Sequence, residues 1–394
     1  MNLTRMEECI MLDTVGLAVN DISASLPTRS WTEVDGSRER RRDYGDFESD
    51  AGQGKLKVKH IKKTRQLLVE GSCARFYQGH NIVGSGDMIA TAFSMLRAVK
   101  DKHGIEIPLQ RAKVFARGED IAVTRVDVPV MLRVPEGLSV GGVINGLACA
   151  AIRCGINMSL FHNESFYFDQ NSQTSALKGY DKDAEIETHR KELELPTTET
   201  ANMLRALAKS TVRLEAVFRK KHLDNCSLFG GKVVVPRDLQ PSVLAKMFLD
   251  LIETYDLRGS LSARLRQDDF LRVPYRDRGT VAYWQTGGEM LAYFDHKERT
   301  FKRHRQRIKE RCSIDIGGPP PGQIDVPVQI GDILAPGNFV PLPEAIRYDH
   351  QLMHSLDMRD EWFGLCDRLK IHNGIGRAYI EPAVVPAPLY IPGD

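Results

Sequence analysis

The order of predicted strands and helices between residues 66 and 181 constrains the fold more strongly than any other feature of this sequence. Apolar and alternating segments predict strands at 66–77, 113–116, 121–134, 165–169 and 175–181, and helices at 88–103 and 138–153. This β-α-β-β-α-β order is typical of a ferredoxin-like fold, in which an antiparallel sheet carries both helices on one face. We therefore expect an α+β protein.

The first of these helices is bounded by clear capping residues. Asp87 is a favourable N-cap, and Gly104 is able to end the helix after His103. The apolar residues between them recur at the helical period and predict one buried face. Upstream, residues 11–19 predict a further strand, whereas the polar residues 27–54 predict an exposed excursion from the fold.

Beyond about residue 235 the pattern changes from strands to helices. A helix at 197–209 and a strand at 211–218 close the first region, and helices at 240–254 and 298–311 follow. The chain has 394 residues, which is long enough for two domains with a core each. We expect an antiparallel-sheet domain over residues 1–235, a smaller and mostly helical domain over residues 236–345, and an extended tail over residues 346–394.

The charge balance alone does not indicate a nucleic-acid partner. Lysine and arginine number 54 against 52 aspartates and glutamates, which gives a net charge of +2. A polyanion would therefore have to bind at local clusters. Basic residues do cluster at 38–42, 55–63 and 299–311. One such cluster is usually a solvated surface, but three clusters in a nearly neutral chain favour a polyanion partner.

The most basic cluster lies on the predicted helix 298–311. Arg303, Arg307 and Arg311 fall on one stripe at intervals of four residues, and Lys302 and Arg305 lie beside it. Cations packed so closely repel one another unless a polyanion neutralises them. We expect these five residues to bind DNA; the alternative is a basic helix that water alone solvates.

Cysteine usage and hydropathy indicate a cytosolic protein without a membrane segment. The seven cysteines are odd in number, and no pair has C-x-x-C spacing, which argues against a disulfide framework and a cysteine zinc site. No apolar run reaches the length of a transmembrane helix, and the first residues lack the apolar core of a signal peptide.

Tyr180 and Lys182 form the first part of a candidate active site. They are two residues apart, so on an extended strand both side chains point to the same side. A cation beside a phenol favours its ionised form, which is the form that attacks phosphorus. With a divalent metal ion to polarise a phosphate, this pair suits tyrosine attack on a DNA phosphodiester. On spacing alone, such a pair is more often a surface tyrosine beside a surface lysine.

Three further side chains are candidate metal ligands. Glu70 and Asp127 lie on the strands predicted to be central neighbours, and His80 follows the turn at Gly79. Alternatively, His80 bonds only to backbone, and Asp127 forms a same-face salt bridge with Arg125.

Two other features of the strands leave open questions. Arg213 and Glu215 form a second same-face pair that is either functional or structural. Pro129 is unusual for a central strand, so we expect a bulge or a strand end just past Asp127.

The order of several segments along the chain resembles the replication initiators of filamentous phages, the gene II/X type. These are distantly similar to rolling-circle Rep endonucleases of the histidine-hydrophobic-histidine (HUH) superfamily. The segments that carry the resemblance are MLDTVGLAV at 11–19, VEGSCARFYQGHNIVGSGD at 69–87, TRVDVPVMLR at 124–133, GYDKDAE at 179–185, TVRLEAVFRKKHL at 211–223 and RTFKRHRQRIKERCSIDI at 299–316.

The resemblance implies a site-specific enzyme that nicks and rejoins one DNA strand through a 5′-phosphotyrosine. Tyr180 falls at the position of the nucleophile, and Lys182 and Glu185 match its companions. The strict two-histidine metal motif is absent, so the ligands of Mg²⁺ or Mn²⁺ would come from Glu70, His80 and Asp127.

The same resemblance implies a set of partners and a location. The partners would be double-stranded and single-stranded DNA at the phage origin, with host polymerase and helicase, in the cytoplasm of a bacterial host. It also allows a homodimer on DNA. The family pattern begins at Met11, which makes residues 1–10 an expected upstream extension.

Two other functions fit parts of the sequence. A non-enzymatic DNA-binding regulator of a plasmid or phage would use only the basic helix, and Tyr180→Phe would then leave its activity intact. A ferredoxin-like RNA-binding module would need exposed aromatic residues on its central strands. Phe76, Tyr77 and Phe115 do not form that aromatic pattern.

Overall fold

Strands supply the framework of the computed structural model. It describes residues 6–27, 31–35, 38–49, 54–135, 138–161, 164–188, 198–257, 260–261, 267–285, 288–312, 314–317, 328–347 and 349. The strands are β1 (Thr14–Val19), β2 (Trp31–Asp35), β3 (Arg38–Tyr44), β4 (Phe47–Glu48), β5 (Lys55–Ile61), β6 (Gln66–Ser72), β7 (Ala122–Arg133), β8 (Met158–Phe161), β9 (Ser165–Phe168), β10 (Ser175–Asp181), β11 (Thr211–Arg219), β12 (Ser260–Leu261), β13 (Val328–Gln329) and β14 (Phe339–Val340).

The helices follow in the same chain order. They are α1 (Cys73–Gln78), α2 (Met88–His103), α3 (Leu109–Ala116), α4 (Val140–Arg153), α5 (Lys182–Thr188), α6 (Glu199–Lys209), α7 (Lys220–Asn225), α8 (Pro241–Tyr255), α9 (Gln267–Arg272), α10 (Tyr275–Gln285), α11 (Met290–Tyr293), α12 (Glu298–Cys312), α13 (Ile330–Ile333) and α14 (Glu344–Arg347). In the part of the chain that the structure describes, no helix has the length and apolar character needed to cross a membrane.

One large antiparallel sheet organises the molecule. Its strand order is β2-β3-β5-β6-β1-β7-β11-β10-β9-β8, with β4 paired to β5 and β14 paired to β7. Helix α4 packs against β8 to β11, and α2 packs against β5 and β6. The prediction of an α+β protein with an antiparallel sheet and a following helical region is therefore confirmed.

The two faces of the central strands differ in chemistry because side chains alternate along each strand. On one face, aliphatic and aromatic side chains of β7, β9, β10 and β11 are buried. Phe168 on this face makes an edge-to-face contact with Tyr255 of α8, at 5.4 Å between ring centroids. The opposite face, here called the polar face, carries Tyr180, Glu215 and Asp127.

The local capping signals placed α2 correctly. The Asp87 carboxylate accepts the N–H of Ala90 at 2.9 Å, and Gly104 ends the helix in the left-handed conformation with φ of 61°. A side chain at Gly104 would be strained at this φ, which explains why glycine stands there. Strands β1, β7, β9, β10 and β11 and helices α4, α6, α8 and α12 also overlap the predicted elements closely.

Several local predictions were wrong. Segment 27–54 contributes β2, β3 and β4 to the sheet instead of leaving the fold, although the side chains of 31–42, including the basic cluster 38–42, lie outside the described residues. The predicted strand 66–77 ends at Ser72, whose hydroxyl accepts the N–H of Arg75 and starts α1. The predicted strand 113–116 is the end of helix α3, and β8 was not predicted.

Two predictions about the central strands also fail. Strand β1 lies between β6, which carries Glu70, and β7, which carries Asp127, so these two strands are not neighbours. Strand β7 continues through Pro129 to Arg133 without ending. The Asp127 carbonyl accepts the N–H of Asp13 at the edge of β7 that faces β1. Two residues later, the backbone nitrogen of Pro129 points to the same edge. Its missing N–H therefore falls in the gap between β1 and β14.

The helical region contains a core of its own but also supports the sheet. A cluster of buried residues that includes Trp284 and Ile308 joins α10, α11 and α12. By contrast, Phe248 of α8 contacts Phe339 of β14 at 5.8 Å between ring centroids, and β14 pairs with β7. Residues 1–356 form one compact unit, and the boundary predicted near residue 235 falls within it. Residues 350–394, most of the predicted tail, lie outside the described residues.

Candidate functional site

The register of β7, β10 and β11 gathers the charged residues of the polar face. Tyr180 lies opposite Arg213, and Lys178 lies opposite Glu215. Two residues further along β11, Val217 lies opposite Asp127. A tyrosine, a lysine and two carboxylates thus share one face of adjacent strands, which is a suitable arrangement for acid–base chemistry.

Tyr180 is held against a carboxylate within this face. Its hydroxyl donates a hydrogen bond to Glu215 Oε2 at 3.2 Å, and the residue is only 5% exposed. Burial raises the pKa of Tyr180 well above its ordinary value; Arg213 opposes the shift, and the carboxylate of Glu215 adds to it. The phenol is therefore protonated at neutral pH, and it would need a proton acceptor to act as a nucleophile.

Lys182 is the first residue of α5 and is almost completely buried. Its ammonium group donates to Glu185 Oε2 at 2.6 Å and to Asn81 Oδ1 at 2.8 Å, and it lies 5.7 Å from the centre of the Tyr180 ring. The Asp181 carboxylate caps the start of this helix by accepting the N–H groups of Asp183 and Ala184 at 3.0 and 3.1 Å. The three residues predicted as catalytic thus lie close together.

The surroundings of Lys182 shift the pKa of both members of its ion pair. Burial, together with the positive charge of Arg213, lowers the pKa of Lys182 from 10.5 to about 8. Burial would raise the pKa of Glu185, but the Lys182 ammonium outweighs it and holds that pKa below its ordinary value. A charged and a neutral form of Lys182 are therefore both within reach just above neutral pH.

Replacing Lys182 should change how protein stability depends on pH. Between pH 8 and 10.5 the unfolded chain binds a proton at Lys182 that the folded chain releases, so folding becomes more favourable as pH rises. The full change is roughly 3 kcal/mol for a shift of this size. Lys182→Met should lose this increase in urea unfolding measured from pH 7.5 to 9.5. Parallel curves for the wild type and Lys182→Met, with Lys246→Met as a surface control, would contradict the assignment.

Arg213 is the central cation of the site. It is 1% exposed, donates to the carbonyl of Ile82 at 2.9 Å and to Asp13 Oδ2 at 3.3 Å, and lies 3.8 Å from Glu215 Oε2. Asp13 Oδ2 also accepts from Asn81 at 2.8 Å. Burial would raise the pKa of Asp13, but the charge of Arg213 opposes it, and the pKa stays below its ordinary value. Arg213 therefore connects the Tyr180–Glu215 pair to the Lys182–Asn81 pair.

Asp13 and Asn81 belong to this candidate site, and the sequence patterns did not indicate them. Asp13 is a buried carboxylate immediately before β1, and Asn81 follows His80. An aspartate beside an apolar strand is a weak signal on its own. Their partners are 68 and 101 positions away, so no local pattern predicts the contacts.

The two predicted carboxylate ligands are joined by a guanidinium. Arg125 donates to both oxygens of Asp127, at 2.8 and 2.6 Å, and to Glu70 Oε1 at 3.3 Å. Burial, opposed by Arg125 and reinforced by the charge of Glu215, raises the pKa of Asp127 to about 7. The same-face salt bridge considered for Arg125 and Asp127 is therefore present.

His80 is buried just past the end of α1. Gly79 adopts φ of 79°, which allows the sharp turn, and the Gln78 side chain donates to the His80 carbonyl at 3.2 Å. Among the described residues, no group of three or more His, Cys, Asp and Glu side chains is arranged to hold a metal ion. His80, Asp127 and Glu70 thus do not form a metal site in this conformation, and their role as ligands stays a prediction.

The predicted DNA-binding residues on α12 fall into two groups. Lys302, Arg303 and Arg311 are exposed. Arg305 and Arg307 point inward instead. Arg305 forms a bidentate ion pair with Asp315, and Arg307 forms an ion pair with Asp277.

These inward ion pairs lie beside the buried cluster that joins α10, α11 and α12. Asp277 and Asp315 are both buried. Burial would raise the pKa of Asp315, but Arg305 and Lys309 hold that pKa at about 2. Intramolecular carboxylates thus relieve part of the repulsion on α12 that the sequence attributed to DNA.

The exposed arginines of α12 should control the salt dependence of duplex binding. Each phosphate contact contributes about 0.9 to the slope of log affinity against log salt, so Arg303→Ala with Arg311→Ala should lower the slope by ~1.8. Cleavage of a single-stranded oligonucleotide should stay near the wild-type rate. Fluorescence anisotropy with origin duplex at several salt concentrations measures the slope. An unchanged slope would mean that water alone solvates this face.

The fold and the site define an α+β protein with a tyrosine, a lysine and a buried ion-pair network on one face of an antiparallel sheet. Residues 11–236 match the N-terminal region of the phage replication-associated protein family of the gene II type, and this match covers more than half of the chain. The chain belongs to this family of phage replication-associated proteins.

Individual proteins that resemble this chain share a low sequence identity with it. The replication-associated protein of the same type from Enterobacteria phage I2-2 is 26% identical over 259 residues, which cover 64% of this chain and 70% of that protein. The structure of a rolling-circle replication initiator protein from Geobacillus stearothermophilus is also similar, with 12% identity and a TM-score of 0.28. The alignment covers 62% of this chain and 79% of that protein. That score is too low for any residue to be transferred by superposition.

Proposed function

We propose that this protein initiates rolling-circle replication of a phage genome by nicking, and later rejoining, the viral strand through Tyr180. The observation that carries the proposal is the hydrogen bond from the Tyr180 hydroxyl to Glu215, beside the buried Lys182–Glu185 pair. A phenol with a carboxylate acceptor and a nearby ammonium is the arrangement that an activated tyrosine requires. Membership in a replication-associated family supports the same interpretation.

The proposed step is a transesterification. The phenolic oxygen of Tyr180 attacks the scissile phosphorus as its proton passes to Glu215. The bond from phosphorus to the 3′ oxygen breaks, and this oxygen takes up a proton from solvent. The products are a 5′-phosphotyrosine and a 3′ hydroxyl that primes the host polymerase. In the joining step a 3′ hydroxyl attacks the phosphotyrosine, and Tyr180 recovers its proton. One phosphodiester bond is exchanged for another in each direction, so the nick is reversible.

Lys182 and Glu185 have distinct roles in this proposal. The ammonium of Lys182 lies 5.7 Å from the Tyr180 ring and favours the phenolate electrostatically as it forms. Glu185 and Asn81 hold that ammonium in place through bonds of 2.6 and 2.8 Å. Glu185 is therefore a positioning residue that acts through Lys182.

A divalent cation is expected to accompany this chemistry, but its ligands are not assembled in the described side chains. We propose His80, Asp127 and Glu70 as the ligands, with Glu185 and Glu215 as the next residues to test. Mg²⁺ or Mn²⁺ would supply charge to a phosphate oxygen. Arg125 holds both Glu70 and Asp127, and these carboxylates would have to exchange that guanidinium for the metal ion.

The direct test is a nicking assay on supercoiled replicative-form DNA of the phage, with and without magnesium. We expect conversion to the open-circular form, a protein–DNA adduct that resists boiling in detergent, and no conversion without a divalent cation. Intact supercoiled DNA under all conditions, combined with specific origin binding, would reject the enzymatic proposal.

The ligand assignment requires a separate measurement. Asp127→Ala and His80→Ala should raise the magnesium concentration needed for half-maximal nicking by about tenfold or more, with little change in DNA affinity. Calorimetric titration with Mn²⁺ provides a readout that is independent of activity. Normal nicking by both variants at low magnesium would place the metal site elsewhere.

One observation favours the alternative of a non-enzymatic DNA-binding regulator. Tyr180 is 5% exposed, so its hydroxyl has to leave the bond with Glu215 before it meets a phosphate. A regulator would need no such movement, and it would bind the origin without forming a covalent adduct. Recruitment of a host helicase and dimerisation on DNA belong to the enzymatic proposal. Both can be measured on complexes of the protein with origin DNA.

A further inference from the structure

We propose that a cleft of about 700 Å³ at the end of β11 binds the phosphodiester backbone of single-stranded DNA next to the nick site. The inference rests on the proposed function and names a binding site within it. Arg125, Arg219, Lys220 and Lys221 line the cleft, together with the carboxylates of Glu70 and Asp224. Four cations against two anions give its wall a net positive charge.

The position of the cleft follows from the strand register. Arg219 lies opposite Arg125, and residues 213, 215, 217 and 219 of β11 share the polar face because side chains alternate. The cleft is therefore on the same face as Glu215. Arg219 lies six positions along β11 from Arg213, which is opposite Tyr180, and this spacing is roughly 20 Å. A strand attacked by Tyr180 would reach this cleft a few nucleotides from its scissile phosphate.

Hydrogen bonding inside the cleft leaves part of the Arg219 guanidinium without an acceptor. Nη2 of Arg219 donates to the Gln170 carbonyl at 3.2 Å. Nη1 of the same guanidinium is buried and has no acceptor among the described residues. A buried N–H without an acceptor is unfavourable, and a small rotation of the guanidinium toward the cleft would let a phosphate oxygen satisfy it with a charge-assisted bond.

The other cations differ in how far they are already neutralised. Arg125 is held by Asp127 and Glu70, and Lys220 bonds to Asp224 at 2.7 Å. Lys221 is exposed at the rim of the cleft. Arg219 and Lys221 are therefore the residues that we expect to contribute most to phosphate binding.

An aromatic ring beside the cleft favours a single strand over a duplex. Tyr167 lies opposite Lys178 on the polar face and is half-buried. Through Lys178, Tyr167 is level with Glu215, which lies between Arg213, opposite Tyr180, and Arg219 along β11. Sites for single strands usually combine a basic groove with aromatic rings on which unpaired bases stack.

The test measures binding of a fluorescein-labelled oligothymidylate of about 16 nucleotides to the full-length protein by anisotropy. Arg219→Ala with Lys221→Ala should weaken binding about tenfold at low salt. The same variant should lower the salt slope by ~1.4, since each contact to a single strand contributes about 0.7. Binding to a duplex of equal length should change much less.

Matched lysines provide the control for stability and for charge. Lys220 and Lys246 each pair with an aspartate four residues later, at 2.7 and 2.9 Å, and all four residues are exposed. Lys220→Ala should weaken oligothymidylate binding, whereas Lys246→Ala should not. Wild-type binding by the Arg219→Ala and Lys221→Ala variant, or an equal loss for duplex and single strand, would overturn the proposed site.

Failure of this inference is distinguishable from failure of the proposed function. If the wild type nicks origin DNA and the cleft variants bind oligothymidylate normally, only the cleft assignment is wrong. If the cleft variants lose binding but the wild type nicks no DNA, the cleft binds single strands and the nicking proposal is wrong.

Discussion

Tyr180→Phe should abolish nicking and the covalent DNA adduct while origin binding stays within about twofold of the wild type. The substitution removes only the hydroxyl that donates to Glu215. Loss of a catalytic nucleophile lowers a rate by ~10⁴-fold or more, since no other group takes its place. Gel analysis of supercoiled substrate and detection of the adduct on denaturing gels measure the two products separately.

Tyr167→Phe is the matched control for this result. Tyr167 lies on the neighbouring strand and the same face, opposite Lys178, and loses the same atom in the variant. We expect it to nick at close to the wild-type rate. An adduct that persists in Tyr180→Phe but disappears in Tyr167→Phe would transfer the role of nucleophile to Tyr167.

Arg213→Met should destabilise the protein by roughly 3–5 kcal/mol, the usual effect of removing one partner of a buried ion pair. The variant leaves the carboxylates of Asp13 and Glu215 buried without their guanidinium, and the Ile82 carbonyl loses a donor. Methionine fills a similar volume, so the loss reports charge and hydrogen bonding more than packing. Urea unfolding at pH 7 measures the difference.

Two companion variants make this expectation specific. Arg303→Met changes an exposed arginine and should shift stability by less than about 0.5 kcal/mol. Arg213→Met combined with Asp13→Asn should recover part of the loss, because the unpaired carboxylate is removed as well. A loss below about 1 kcal/mol for Arg213→Met would show that water compensates the charges of this site.

Local signals in the sequence were sufficient for much of the secondary structure. Asp87 and Gly104 define α2 because caps act within one turn of the chain. The prediction failed where two conformations share one pattern. Residues 113–116 contain a β-branched valine and a phenylalanine, both common in strands, yet they complete a helix that begins after Pro108. Ser72 ends β6 by capping α1, which the apolar residues around it concealed.

The pairing of distant strands was not accessible from the sequence in the same way. Nothing within residues 11–19 indicates that β1 enters between the strands of Glu70 and Asp127. The Lys182–Glu185 pair spans a single helical turn and follows from its spacing. The partners of Arg213, Arg305 and Arg307 are set by tertiary structure, so the sequence showed their charges and not what neutralises them.

Strand β14 lies beside β7 at Met131 and Leu132, on the side where β1 has already ended. A fragment that stopped at residue 235 would leave this stretch of β7 with an open edge, which is a template for pairing with another chain. It would also expose the apolar surface that α8 covers. We therefore expect the sheet to be unstable when the helical region and β14 are exchanged without it. A viable crossover would have to retain β14 with the sheet that it completes.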